Sequence, residues 1–283
     1  MKAMSKDLLW KVKEGDHVKL KDYDPDHIAS QIDRDAAEKQ LQKLSQELGE
    51  LQELMTAAQK HSFLMILQGM DTSGKDGTIR HVLSSLNPQG CQVHSFKAPS
   101  QDELQHDFLW RVHQHVPPRG IFGVFNRSHY EDVLVVRVHN LVPEDTWHKR
   151  YHIINAFEEM LTESGTIVVK FFLHISKDEQ ARRLKAREDE PEKSWKLNVD
   201  DWKERQFWGD YQEAYEDALG KCSTKEAPWY IVPANHKWYR NLAIAQTLAD
   251  TLKSYKDEWQ KDLLARGQRE LEALKQMHAH AEK

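Results

Sequence analysis

The stretch Gln68-Gly69-Met70-Asp71-Thr72-Ser73-Gly74-Lys75-Asp76-Gly77 constrains this chain more than any other. An apolar run over 63–67 leads into it, and a helix-competent run over 78–83 leads out. Strand, glycine loop, lysine and helix, in that order, make the layout of a P-loop. Gly69 and Gly74 allow a tight turn whose backbone N–H groups converge on an anion, and the following helix aims its N-terminus at the same point. Lys75 supplies a mobile full charge for the terminal phosphates. Ser73, Asp76 and Gly77 complete the phosphate-side positions of the loop. Asp76 stands where a Ser or Thr hydroxyl usually touches magnesium. A second acid, Asp71, lies inside the loop. A carboxylate facing phosphates is repulsive unless a cation lies between them, which puts Asp71 on the metal side of the site. The plain alternative, a chance glycine turn, accounts for neither flank.

At 283 residues the chain has room for one large domain or two small ones. With 39% apolar and 30% charged residues it reads as a soluble globular protein. No apolar run approaches the roughly 18 residues that cross a membrane. The N-terminus lacks a signal-peptide core, so a cytoplasmic protein is expected. Cys91 and Cys222 are the only cysteines, which argues against a disulfide scaffold or a cysteine zinc site and fits a reducing compartment. A net charge of −5 excludes a chain that attracts nucleic acid over its whole surface, so any polyanion site must be a local basic patch.

Residues 1–27 read as an irregular arm. Over 28–60, Ala37, Leu41, Leu44, Leu48, Leu51, Met55 and Ala58 recur at steps of three and four, one face of a long helix. That face either packs on the chain's own body or pairs with another subunit. An alternating strand over 91–96 follows the P-loop unit. Ser100 and Glu103 form a capping box for a helix expected over 101–115, which the Pro117-Pro118 pair ends. The buried strand 121–125 terminates at Asn126-Arg127-Ser128-His129-Tyr130. P-loop enzymes usually end such a strand in an acid of the magnesium shell. Asn126 takes that place here, and Glu131 or Asp132 is available to compensate. Arg127 is a phosphate clamp by chemistry, with a surface ion pair as its plain alternative. His129 reads as a packed side chain.

A helix starts at Pro143-Glu144-Asp145, buries Trp147, Tyr151, Ile154, Phe157 and Leu161, and ends at Gly165. Residues 166–175 are the most strand-like run and read as a central strand. Ser176 then caps a basic helix over 177–187 carrying Arg182, Arg183, Lys185 and Arg187. The stretch after it has no apolar period. Together they have the layout of a nucleotide-kinase lid, against the alternative of plain solvated surface. A helix over 200–219, a strand over 228–233 and a last amphipathic helix complete the series, with a helical tail over 256–283. His278 and His280 in that tail are too isolated for a metal site. Strands alternating with helices predict an α/β fold of three α/β/α layers, P-loop kinase-like, with a mainly parallel sheet and a helical lid. The phosphotransferase domain is expected over 28–255, the lid over about 177–200. Asp71, Lys75, Asn126 and Arg127 fall at the carboxyl edge of that sheet, where ligands bind in such folds. The set suits phosphoryl transfer.

The chain resembles the polyphosphate kinase 2 family, P-loop phosphotransferases related in fold to thymidylate kinase. The resemblance rests on the loop from Gly69 to Gly77 and on the block Gly123-Val124-Phe125-Asn126-Arg127-Ser128-His129-Tyr130-Glu131-Asp132-Val133. Trp195-Lys196, Ala227-Pro228-Trp229 and the later Lys237 and Arg240 also match. It covers residues 16–255. It implies phosphoryl transfer between inorganic polyphosphate and a nucleotide, with Mg2+ or Mn2+, in a homo-oligomer, dimer or tetramer. The Asn-Arg-Ser-His-Tyr-Glu-Asp form is most similar to members that phosphorylate AMP and ADP, and guanine nucleotides are a further acceptor class. Carried over by position, Asp71 holds metal or helps deprotonate the acceptor, with Glu131 as second metal residue. Lys75 neutralises the transferring group and Arg127 bridges donor and acceptor. Arg182, Arg183, Arg187 and Lys196 are the lid's phosphate-binding set. No nucleic acid or membrane partner is expected. Two rivals stay open: an ATP-dependent nucleotide or small-molecule kinase, and a non-catalytic polyphosphate-binding protein.

Overall fold

The computed structural model describes residues 8–30, 32–190, 192 and 198–281. Within the expected irregular arm, Trp10–Lys11 form a short strand, β1. Leu8, Leu9, Val12, Val18 and Leu20 are buried around it. This strand escapes sequence pattern because it is two residues long and its partner lies over 200 residues away, Trp10 pairing with Ile231. The long helix is α1 (Arg34–Ala58), capped by the Asp33 carboxylate, which accepts from Ala36 N at 2.8 Å. Its stripe is buried against the chain's own α9 (Lys237–Lys253) and α10 (Lys256–Ala281).

The next elements are β2 (Ser62–Gln68), α2 (Lys75–Val82), β3 (Cys91–Ser95), α3 (Trp110–His113) and β4 (Phe122–Asn126). The helix expected over 101–115 does not form. The capping box does: Glu103 N donates to Ser100 Oγ at 3.2 Å and Ser100 N to Glu103 Oε2 at 2.6 Å. One 3-10 turn follows. Then Asp107 accepts from Leu109 N at 3.0 Å and offers the backbone a local bond in place of the helical one. The chain continues through α4 (Val135–Val138), α5 (Glu144–Glu163), β5 (Thr166–His174) and α6 (Lys177–Asp189). Ser176 caps α6 as expected, accepting from Glu179 N at 3.1 Å. The helix expected over 200–219 is broken into α7 (Val199–Glu204) and α8 (Trp208–Lys221) by a 3-10 turn. In that turn Arg205 donates to the Lys177 carbonyl at 2.5 Å, which pins the junction to α6. Strand β6 (Trp229–Pro233) precedes α9.

The sheet order is β1-β6-β5-β2-β4-β3, parallel throughout except for β1. The seven residues of β2 and the nine of β5 are all buried, as central strands covered on both faces must be. The chain leaves β2 toward β3 on one side and later crosses to β5 on the other. That places the topological switch at the carboxyl ends of β2 and β4, aligned by the pair Leu67–Asn126.

Candidate active site

The loop after β2 turns at two glycines with positive φ, Gly69 at 150° and Gly74 at 103°. A Cβ at Gly74 would lie 1.9 Å from Arg240 NH1, so only glycine fits there. Thr72 and Arg127 share the left-handed region at φ of 64° and 62°. Such conformations are uncommon for residues with a side chain and gather at functional sites. Arg127 is anchored there by its N–H, which donates to the Leu67 carbonyl at 3.0 Å. The bend at the end of β4 therefore aims the guanidinium across the mouth of the loop.

Lys75 donates to the Gly69 and Met70 carbonyls at 2.7 and 3.3 Å and is 9% exposed. Burial, then the charge of Arg127, bring its pKa down to about 8. Arg127 donates to Asp71 Oδ1 at 2.5 Å and to Glu131 Oε2 at 3.4 Å. Glu131 is the main cause holding its pKa above the usual guanidinium value, with Asp71 adding to it against burial. Asn126 Nδ2 donates to Asp76 Oδ1 at 2.7 Å, so these two form a pair at the loop's edge. Tyr215 is buried beside this group, and burial followed by the Glu131 charge pushes its hydroxyl pKa upward. The Thr72, Ser73 and Thr78 hydroxyls and Glu131 Oε1 are buried without a hydrogen-bond partner. Buried polar atoms ordinarily find one, so the loop has unmet capacity for a polar ligand.

The basic helix divides. Arg182 points outward, its side chain 71% exposed, paired with Glu179 at 2.6 Å. Arg183 is not a free lid cation. Its NH1 donates to the Thr72 and Ser73 carbonyls at 2.9 and 3.0 Å, and its NH2 to those of Ala234 and Asn235 at 2.7 and 2.9 Å. It fastens the P-loop to the turn after β6, while Gln180 donates to the Asp71 carbonyl at 3.2 Å. Arg187 pairs with Asp201 of α7 at 2.6 Å. Asp201 itself has a raised pKa from burial and then from the Asp71 charge, which ties α7 electrostatically to the loop. Lys196 and Trp195 lie outside the described residues. His129 is fully buried and hydrogen-bonded to Glu158 at 3.1 Å, as a packed histidine. Asp132 pairs with Arg150 at 2.9 Å, away from Arg127, which leaves Glu131 as the acid beside the loop. Sequence pattern alone did not mark Tyr215, nor the part Arg240 plays behind the loop. Both come from later helices whose inward faces become visible only on folding.

Among the described residues no group of three or more His, Cys, Asp or Glu side chains converges as a ready metal cage. Magnesium does not require one: it usually takes one or two carboxylates plus substrate phosphates and water. Asp71 and Glu131 flank the same guanidinium, and Glu131 keeps an unpartnered buried oxygen. That donor set fits such an ion.

Residues 31–260 match the polyphosphate kinase 2 (PPK2) family. The chain belongs to this family. It is 51% identical to the AMP/ADP-polyphosphate phosphotransferase of Meiothermus ruber over 86% of this chain and 92% of that one. It is 46% identical to the ADP-polyphosphate phosphotransferase of Rhodopseudomonas palustris over 95% and 97%. The crystal structure of polyphosphate kinase 2 from Arthrobacter aurescens TC1 superposes with a TM-score of 0.84 at 44% identity, covering 87% of this chain and 88% of that one. The chain is thus a phosphotransferase of the three-layer α/β kind, and the match spans the P-loop, the β4 end and α6 together.

Proposed function

We propose that this protein transfers a phosphoryl group reversibly from inorganic polyphosphate to AMP and/or ADP. The observation that carries the reading is Arg127, held between Asp71 and Glu131 across the mouth of a loop whose own lysine is buried. An acceptor phosphate oxygen attacks the terminal phosphorus of the polyphosphate. The bridging P–O bond breaks, and the chain leaves one phosphate shorter. Lys75 and the loop N–H groups neutralise the transferring group, and Arg127 exchanges carboxylates for phosphate oxygens of both substrates. Positioning and charge neutralisation supply most of such a rate. Asp71 and Glu131 would hold a magnesium ion, which when bound would draw charge off the phosphate oxygens. Asn126 and Asp76 orient one another at the edge of the loop.

The two relatives differ in name, one AMP/ADP and one ADP alone, and the greater identity to the first supports both acceptors here. The free thiols Cys91 and Cys222 support a reducing, cytoplasmic setting. A homo-oligomer belongs to the same proposal. Among the described residues no helix is long and apolar enough to cross a membrane. The test incubates the protein with magnesium and AMP, ADP, GMP or GDP separately, with long-chain polyphosphate or ATP as sole donor, and identifies the products. ADP and ATP formed from polyphosphate are expected; turnover with ATP but not with polyphosphate refutes the proposed donor.

A further inference from the structure

Behind the loop lies a charge that the proposed reaction does not use. Arg240, in the first turn of α9, is 2% exposed. Its Nε and NH2 donate to Asn241 Oδ1 at 3.1 and 2.8 Å, and its NH1 to the Ser73 carbonyl at 3.2 Å. These acceptors are all neutral. Burial and then the positive charge of Arg183 bring its pKa down to about 9, with no carboxylate among the described residues to hold it up. Arg183, which donates to the same Ser73 carbonyl, has Glu179 at 2.6 Å as counter-ion.

The location adds to the imbalance. Gly74 is the N-cap of α2, and its missing Cβ leaves room for Arg240 NH1; a Cβ on Gly77 would lie 3.5 Å from NH2. The guanidinium therefore lies along the first turn of α2, at the end where the helix dipole is already positive. A buried cation without a counter-ion, beside another cation and a helix N-terminus, is unfavourable while the loop is empty. A polyanion in the loop reverses that sign. We infer that Arg240 is a positioning residue for the phosphate chain, supplying the loop from behind with a standing positive charge that bound polyphosphate neutralises. The inference rests on the P-loop reading above.

The experiment follows thermal unfolding and binding of long-chain inorganic polyphosphate for the full chain, as wild type, Arg240→Met, Arg240→Lys and Lys75→Met. Without polyphosphate, Arg240→Met is expected to unfold no lower than wild type, because relief of the buried charge that lacks a counter-ion offsets the bonds lost at Asn241 Oδ1. It should bind polyphosphate about tenfold or more less tightly, whereas Arg240→Lys, which keeps the charge, stays within about threefold. A brace for the fold gives the opposite: a lower Tm in Arg240→Met, unchanged affinity in its folded fraction, and no rescue by lysine. That result overturns the inference. Should Arg240→Met fail to fold, Arg240→Lys decides, since near-wild-type affinity without the guanidinium fork supports the charge and a tenfold loss refutes it. Loss of binding in Lys75→Met with full binding in Arg240→Met leaves the P-loop reading standing and this inference fallen. A wild type that does not bind polyphosphate removes both.

Discussion

Lys170 and Arg240 are both cations at 2% exposure or less, yet their surroundings are opposites. Lys170 stands in the middle of β5, level with Ile66 and Trp229. It donates to Glu158, to the Tyr130 hydroxyl at 2.9 Å and to the Cys222 carbonyl at 2.6 Å. The rings of Tyr130 and Trp229 flank it at 5.4 and 5.3 Å. Burial works to raise the Glu158 pKa, but Lys170 and His129 outweigh it, and the carboxylate ends below its ordinary value. Arg240, on α9 behind the P-loop, has only neutral acceptors. A buried charge neutralised inside the protein serves the fold, whereas one left unneutralised beside a phosphate loop serves a ligand.

The largest expected effect is on the first of these. Lys170→Met leaves the Glu158 carboxylate buried without its cation, and removing one partner of a buried pair typically costs about 3–5 kcal/mol. Denaturant unfolding measures it. A loss below about 1 kcal/mol would mean that the network does not hold the sheet, and the contrast with Arg240 would collapse.

Next comes the loop lysine. Lys75→Met should fold normally and lose about 2.7–4 kcal/mol of transition-state stabilisation in kcat/KM, the usual loss for one preorganised charge. Near-wild-type turnover in a folded Lys75→Met protein would remove Lys75 from the chemistry. The same residue sets a pH dependence. The protonated form is the competent one, and with a pKa of about 8 in the free enzyme its charge is present below that pH and lost above it. kcat/KM for polyphosphate should therefore fall as pH rises through 8, by about tenfold per unit once well above it. Lys75→Met should lack that limb. A flat profile up to pH 9.5 in the wild type would contradict the assignment.

Arg183→Ala comes third. Its guanidinium satisfies four backbone carbonyls at the P-loop and after β6. Leaving such buried acceptors unpaired costs about 1–3 kcal/mol, so its signature is lowered stability. A mutant of unchanged stability would return Arg183 to the free lid cations.

The P-loop was legible because its chemistry is local: apolar run, glycines, lysine and helix lie within one short stretch, and each has a backbone reason to be there. The central strands were legible for a related reason, since burial on both faces leaves a continuous apolar run. What escaped depends on contacts distant in sequence or on direction. Arg182 and Arg183 are neighbours of the same type, and only the packing of α6 shows that residues 180, 183 and 184 face the protein while 182 faces water. The capping box at Ser100 was correct and still did not yield a long helix, because Asp107 redirected the backbone. Arg240 carried a family resemblance, but its lack of a counter-ion is a property of the folded neighbourhood.

The smallest expected effect is at Arg182, the outward member of the pair. Its side chain is 71% exposed and its partner Glu179 is shared with Arg183, so the fold has little need of it. Exposed ion pairs of this kind contribute about 0–1 kcal/mol, and Arg182→Ala should leave Tm within a degree or two. Polyphosphate is a long polyanion whose repeating charges a local basic track can follow, and the exposed Lys177, Arg182 and Lys185 are the cations that α6 offers to solvent. Arg182→Ala should raise KM for polyphosphate about two- to fivefold and leave KM for the nucleotide unchanged, an effect of the size of one screened surface contact. Because such contacts are screened over about 8–10 Å at physiological ionic strength, the difference should vanish near 1 M salt. Steady-state kinetics at two salt concentrations, varying each substrate in turn, measures it. A fall in kcat with KM unchanged would instead place Arg182 over the transition state, and unchanged kinetics for both substrates would leave the outer face of α6 as solvated surface.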